Sequence, residues 1–348
     1  MTALATAAVL LALRASAGAG REDMGWTRPP PDGAPPSPPV GRGARGPRAF
    51  DRRSWWAILR RVKAEMSNDN ISIIAAGVAF YGLMAIFPGI AAAVALFGLL
   101  ADPSTVAELI ASMGGLLPGD AQKVLHEQLA ALTREPASNL SFGALVAIAT
   151  ALWGAASGMK TIMTALNIAY EEDEKRGFFA FNLTALALTV SALVGALVAL
   201  TAIVVVPPLL QATFLGPGLE WAIAAGRWPA LGVLLMLALA FLYRFAPSRA
   251  QPKWRWATTG ALAATVLWLA ASGAFSWYVA AFGNYGATYG AVGGVVVLLM
   301  WLYISAFVVL MGAELNAEME MQTARDTTTG PPQPMGRRRA YVADHVAG

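Results

Sequence analysis

The sequence predicts an all-α fold: a polytopic membrane protein of six transmembrane helices, with amphipathic helices in its first extracytoplasmic loop. Three observations carry this expectation. Of 348 residues, 57% are hydrophobic and only 13% are charged, a balance far too apolar for a water-soluble domain. Several long stretches lack Asp, Glu, Lys and Arg altogether, and a helix needs roughly 20 apolar residues to cross a hydrocarbon core of about 30 Å. The basic residues fall on alternating sides of those stretches, as the positive-inside rule requires.

Five charge-free stretches define spans at 71–100, 140–159, 181–207, 256–282 and 287–313. A sixth, 229–246, is shorter; it begins at a proline suited to a first helical turn and carries Arg244 near its end, where a long side chain can snorkel. With six spans, one side receives Arg52, Arg53, Arg60, Arg61, Lys63, Lys160, Lys175, Arg176, Arg244, Arg249, Lys253, Arg255, Arg325 and residues 337–339. The other receives Lys123, Arg134 and Arg227. Omitting the span at 229–246 would move the cations between 244 and 255 outside. Both termini are therefore expected in the cytoplasm.

The flanks differ in kind. Residues 1–50 form a Pro/Gly/Arg-rich tail that cannot bury enough apolar surface to order itself, and a disordered segment is expected. Its apolar run at 3–13 has the length of a signal-peptide core but no basic residues before it. Residues 51–321 make the membrane domain, and 322–348 read as a disordered cytoplasmic tail. The outer connection at 101–139 has helix starts at Asp102-Pro103 and again at 118–120. Val124, Leu125, Gln128, Leu129 and Leu132 follow at helical spacing, the pattern of amphipathic helices packed over the bundle.

Counting excludes some chemistry. There is no cysteine, so disulfides, iron–sulfur clusters and thiolate zinc sites are out, and His126 and His345 are the two histidines. No cofactor or metal is expected. The net charge of +4 is accounted for by the topology, so no nucleic-acid partner is expected; membrane lipids are.

Three stretches carry a resemblance. Residues 75–88 (AAGVAFYGLMAIFP) come first. Leu152-Trp153 with Gly158-Met159-Lys160 and 165–170 (ALNIAY) come next. The third set is 243–247 (YRFAP), Tyr289-Gly290, Trp301-Leu302-Tyr303 and 312–318 (GAELNAE). In this order, over about 52–320, the chain resembles the YihY/virulence factor BrkB family of integral membrane proteins. The resemblance implies a six-span inner-membrane protein whose members have been labelled ribonuclease BN or proposed to move lipids or solutes. A nuclease needs carboxylates or histidines converging on metal ions, whereas the acids at 171–174 are consecutive in one loop and read as solvated. No enzymatic activity is expected.

Other residues are candidates for function. Pro88 interrupts the first span and predicts a kink, a hinge in one reading and static packing in the other, with Tyr81 pointing its hydroxyl inward. Gly286, Gly290 and Gly294 make a strip that predicts close packing of the last two spans or a homodimer contact. Lys160, Arg244 and Glu314 are expected at one membrane depth, with Asn167 and Asn316 further in, as topology anchors or as a polar gate in which Glu314 bridges the cations. The function expected is transport of an unidentified substrate or lipid translocation. The alternative is a non-transporting envelope scaffold that binds proteins or lipids.

Overall fold

The computed structural model describes residues 41–100, 137–205, 217–282 and 285–347. The expected amphipathic helices of 101–136 and residues 1–40 lie outside the described residues. The helices, in order, are α1 (Arg52–Asn68), α2 (Ile71–Leu100), α3 (Ala137–Ala169), α4 (Phe178–Leu200), α5 (Pro217–Phe245), α6 (Trp254–Phe282), α7 (Tyr285–Met321) and the short α8 (Tyr341–Asp344). A π turn at Thr201–Val205 continues α4.

Local chemistry explains the boundaries. Asp51 caps α1: its Oδ1 accepts from the Ser54 amide at 2.9 Å and the Ser54 hydroxyl at 2.6 Å. Asn70, at φ +53°, turns the chain between α1 and α2 in a left-handed conformation that Asn tolerates well. Glu171 makes a similar turn at φ +56° just beyond α3.

Each helix from α2 to α7 packs on the next, and α7 returns to α2, so the six long helices close a ring. Its interior is built largely of small residues: Ala75, Ala165, Ala185, Ala240, Ala261 and Ala313 are all buried. Between lipid-bathed helices, association rests on close van der Waals packing, which small residues permit. The outer surface is apolar instead, with Leu193, Leu197, Val233, Leu262 and Val266 exposed. Among the described residues, four helices are long and apolar enough to cross a membrane, within 178–203, 228–245, 254–281 and 293–321, and most of each faces outward. A helix this apolar with its side chains uncovered is suited to lipid rather than water.

Several expectations need correction. The span read from 229 begins at Pro217, so Pro229 lies inside α5 rather than opening it. Helix α3 runs to Ala169, ten residues past the charge-free stretch, and α7 runs to Met321, eight past its own. The tails are not structureless where described. Thr323 is buried and its hydroxyl donates to the Ala44 carbonyl at 2.9 Å, while Ala324 N–H donates to the Arg42 carbonyl at 3.0 Å. Val342 enters the main core, and Phe50 packs with Trp256 and Met319. Both segments are polar by count, yet each supplies backbone and a few apolar groups that finish the end of α7.

Of the glycine strip, only the surroundings of Gly294 are described. Gly294 faces open space, and the packing of Gly286 and Gly290 lies outside the described residues. Among the described residues, α6 and α7 come close together at Gly260 and Gly312: a Cβ at Gly260 would collide with the Gly312 carbonyl and Asn316, and one at Gly312 would come within 2.8 Å of Ala264 Cβ. Tyr81 is about half exposed, edge-on to Phe80 at 5.5 Å, rather than turned inward. Pro88 lies within α2 with its surroundings outside the described residues.

Candidate polar site at the basic end of the bundle

At the end where both terminal segments meet α7, the last turns of that helix carry a row of buried polar side chains: Glu314, Asn316, Glu318 and Glu320. Each needs a partner, because an unpaired polar group in low dielectric is costly. Asn316 Oδ1 accepts from Gly260 N–H at 2.8 Å and its Nδ2 donates to the Ala257 carbonyl at 3.2 Å, fastening α7 to α6. Glu318 pairs with Arg61 of α1, which also donates to Gln322 Oε1 at 2.6 Å. Glu320 accepts from Arg249 Nη2 at 2.7 Å and from the Thr327 hydroxyl at 2.5 Å; both charged side chains are almost wholly buried. The Arg249 guanidinium also lies over the Tyr170 ring, 4.9 Å from its centroid. Burial opposes its charge, but Glu320 outweighs this and raises its pKa further.

Of the acids at 171–174, Glu171, Asp173 and Glu174 are exposed, as expected of a solvated loop, whereas Glu172 is not. Glu172 is buried, accepting from Tyr341 N–H at 2.6 Å and from Lys175 Nζ at 2.7 Å. Glu174 takes the Arg176 guanidinium bidentately, both distances 2.7 Å, together with Asn167 Nδ2 at 2.9 Å. Burial resists its ionisation, yet the Arg176 side chain and N–H and the Asn167 amide prevail and hold its pKa at about 2. Glu171 turns the other way, towards Glu65 and Asp69 of the α1–α2 corner; one oxygen from each lies within 4.8 Å of the others. Burial first, and then the Glu171 and Glu65 charges, push Asp69 up to about 6.

The expected trio is not assembled. No ion pair among the described residues joins Glu314 to Lys160 or Arg244; its charged neighbours are Asp69, Glu318 and Glu65. The reason is helix length. Asn167 Oδ1 accepts from Ser248 N–H at 2.7 Å, so the end of α3 lies level with the loop after α5, and Lys160 stands seven residues, about 10 Å, further along α3. Lys160 rests over the Trp153 ring at 5.2 Å. Arg244 is held by the Pro252 carbonyl and by Gln251 Oε1 at 3.3 Å, with the Trp254 ring 4.6 Å away.

Arg244 instead lines a cavity of about 620 Å³ with Lys175, Arg176, Arg249, Arg339 and Ser248. Its five cations meet three carboxylates, from Glu172, Glu174 and Glu320, leaving a local excess of two positive charges. Arg244 Nε and Arg249 Nη1 have no acceptor. Sequence reading found Arg244 and Asn167 but missed Arg249, Glu320, Glu65 and Asp69. The available signals were Glu65/Asp69 and Glu314/Glu318, acids four apart and so on one helix face.

A second cavity, about 440 Å³, opens among α4, α5 and α6, lined by Gly195, Ala199, Trp228, Gly232, Leu235 and Leu269 among others. Nearly all of it is apolar. It lies where α4 and α5 touch sparsely among the described residues.

The comparisons with known proteins agree with the sequence motifs. A family model described as Virulence factor BrkB matches residues 62–336. The chain is 38% identical over 184 residues to the ribonuclease-like protein YfkH of Bacillus subtilis, 51% of this chain and 64% of that protein. It is 37% identical over 99 residues to a UPF0761 membrane protein of Tolumonas auensis, covering 28% of this chain and 32% of the relative. A UPF0761 membrane protein of Vibrio vulnificus is 25% identical over 271 residues, 76% of this chain and 82% of its own length. Of the first two relatives the match thus spans less than two thirds. No solved structure matches. With four membrane-length apolar helices, a ring of small-residue contacts and a family match across most of its length, the chain is a membrane protein and belongs to the virulence factor BrkB family.

Proposed function

We propose that the protein moves phospholipids between the leaflets of a bacterial inner membrane, without catalysing a covalent reaction. One observation carries this reading: helix α5 borders both a cationic cavity at its end and an apolar groove along its length. Ala238, the last groove residue on α5, and Arg244 are six residues apart, about 9 Å along the helix. From Trp228 to Ala238 the groove runs about 15 Å, half the thickness of a hydrocarbon core. A phosphate headgroup suits the first compartment, since Arg binds phosphate through its planar fork, and an acyl chain suits the second. Six spans with both termini in the cytoplasm, where anionic headgroups are drawn to basic side chains, belong to the same reading.

The groove can be plugged without disturbing the core, because a Cβ at Gly195 or Gly232 would meet nothing within 4 Å. Fluorescent phospholipid should cross the bilayer of reconstituted vesicles with the wild type. Gly195→Leu and Gly232→Leu should bring the rate towards that of protein-free vesicles with unchanged thermal stability. Lipid movement no faster than in empty vesicles would refute the reading. Anionic lipid retained through purification without such movement would favour the scaffold, and metal-dependent RNA hydrolysis by the same preparation would favour an enzyme.

A further inference from the structure

We propose that the outer face of α1 binds the anionic phospholipid headgroups of the leaflet at its own end of the bundle. The helix has two unlike sides. Ser54, Ile58 and Val62, spaced four apart, are buried, and the two apolar ones pack with Trp256 of α6 and Met319 of α7. On the opposite side Arg52, Trp56, Leu59, Arg60 and Lys63 fall within an arc of roughly 100° for a helix of 3.6 residues per turn. All five are exposed, Trp56 at 66% and Leu59 at 50%.

The level of the helix identifies what this face meets. The charge-free stretch of α2 opens at Ile71, three residues after α1 ends, and that of α7 closes at Ala313, between Met311 and Leu315, which pack into the same cluster as Ile58 and Val62. Helix α1 therefore lies where hydrocarbon gives way to headgroups. It also crosses α7 obliquely. Arg61 pairs with Glu318, whereas Asp69, about 12 Å further along α1, reaches Glu314, only about 6 Å back along α7. Charge completes the match. Arg52, Arg60 and Lys63 make no ion pair among the described residues, while Asp51 caps the helix and Glu318 holds Arg61 on the inner side. Free cations attract phosphate oxygens, and an uncovered indole among them suits the headgroup level, with its ring against acyl chains and its N–H towards water. The face contains no residue of either cavity, so it binds lipid whether or not the bundle moves any.

The native chain has no cysteine, so a fluorophore can be attached at Ala64→Cys, an exposed position beside the face. The labelled full-length chain is placed in nanodiscs in which a fixed fraction of either phosphatidylglycerol or phosphatidylcholine carries a nitroxide quencher near the headgroup end of one acyl chain. Quenching should show phosphatidylglycerol enriched beside α1 by at least about fivefold, and high salt should bring that ratio towards one without any variant. Combining Arg52→Gln, Arg60→Gln and Lys63→Gln should abolish the preference and leave the melting temperature unchanged, because these side chains are exposed and unpaired. Equal quenching by the two lipids, quenching by neither, or a preference that survives in the triple variant overturns the proposal. So does binding of an RNA oligomer that the triple variant loses, with no preference between the lipids, which would give the face to nucleic acid.

Discussion

Glu174 owes its low pKa to Arg176 and Asn167, and the sign of its contribution to stability follows. A carboxylate bound more tightly as the anion stabilises the fold above its unfolded-state pKa, near 4.5, and loses that contribution as the pH falls towards its folded value of about 2. The pair is partly open to solvent, so screening reduces its worth to about 1 kcal/mol. Melting curves of the detergent-solubilised wild type and Glu174→Gln should therefore differ most above pH 4.5 and converge towards pH 2. A gap that widens with acid would contradict the assignment. Arg249 differs in kind: its buried charge leans on Glu320 and Tyr170, inside the protein rather than at its surface.

Among the elements, α6 and α7 show what holds the ring. Gly260 and Gly312 let two backbones nearly touch, and Asn316 uses that proximity to reach across to α6. Gly260→Leu must part the helices and break these hydrogen bonds; overpacking together with a stranded amide should cost about 3 kcal/mol or more. Thermal unfolding in detergent would register it as a large drop, while Gly294→Leu, in open space, should leave stability nearly unchanged. The location of the spans was legible because lipid demands long charge-free runs. Their ends were not. Glu314, Glu318 and Glu320 lie within α7 because tail and loop cover them, and a rule that stops at the first charge stops too early. Gly294 of the glycine strip faces open space for a related reason: spacing tells which residues share a face but not which face meets a neighbour. Arg244 and Asn167 were legible as polar residues beside apolar runs, whereas the meeting of Glu65, Asp69 and Glu171 depends on how three segments fold together.

For the whole molecule, the ring, the basic end and the family agree on a membrane protein, and orientation is the property left to measure. Because the native chain has no cysteine, single thiols report cleanly. In spheroplasts, a membrane-impermeant reagent should label Ser112→Cys and spare Ser67→Cys, and the reverse pattern would invert the assigned sides. Mechanically the ring is uneven. Helix α7 is pinned by side-chain bonds to α1, α5, α6 and the loop after α5. The hydroxyls of Thr184, Thr189 and Ser191 on α4 bond back to their own helix. Sliding α4 away from α5 therefore breaks none of the polar links that hold α7, and the apolar side chains lining this seam among the described residues resist it by dispersion, which grows with contact area. Forces of that kind compete directly with the lateral pressure of the surrounding acyl chains, so bilayer tension and lipid chain length become the natural variables that set how far this seam stands open.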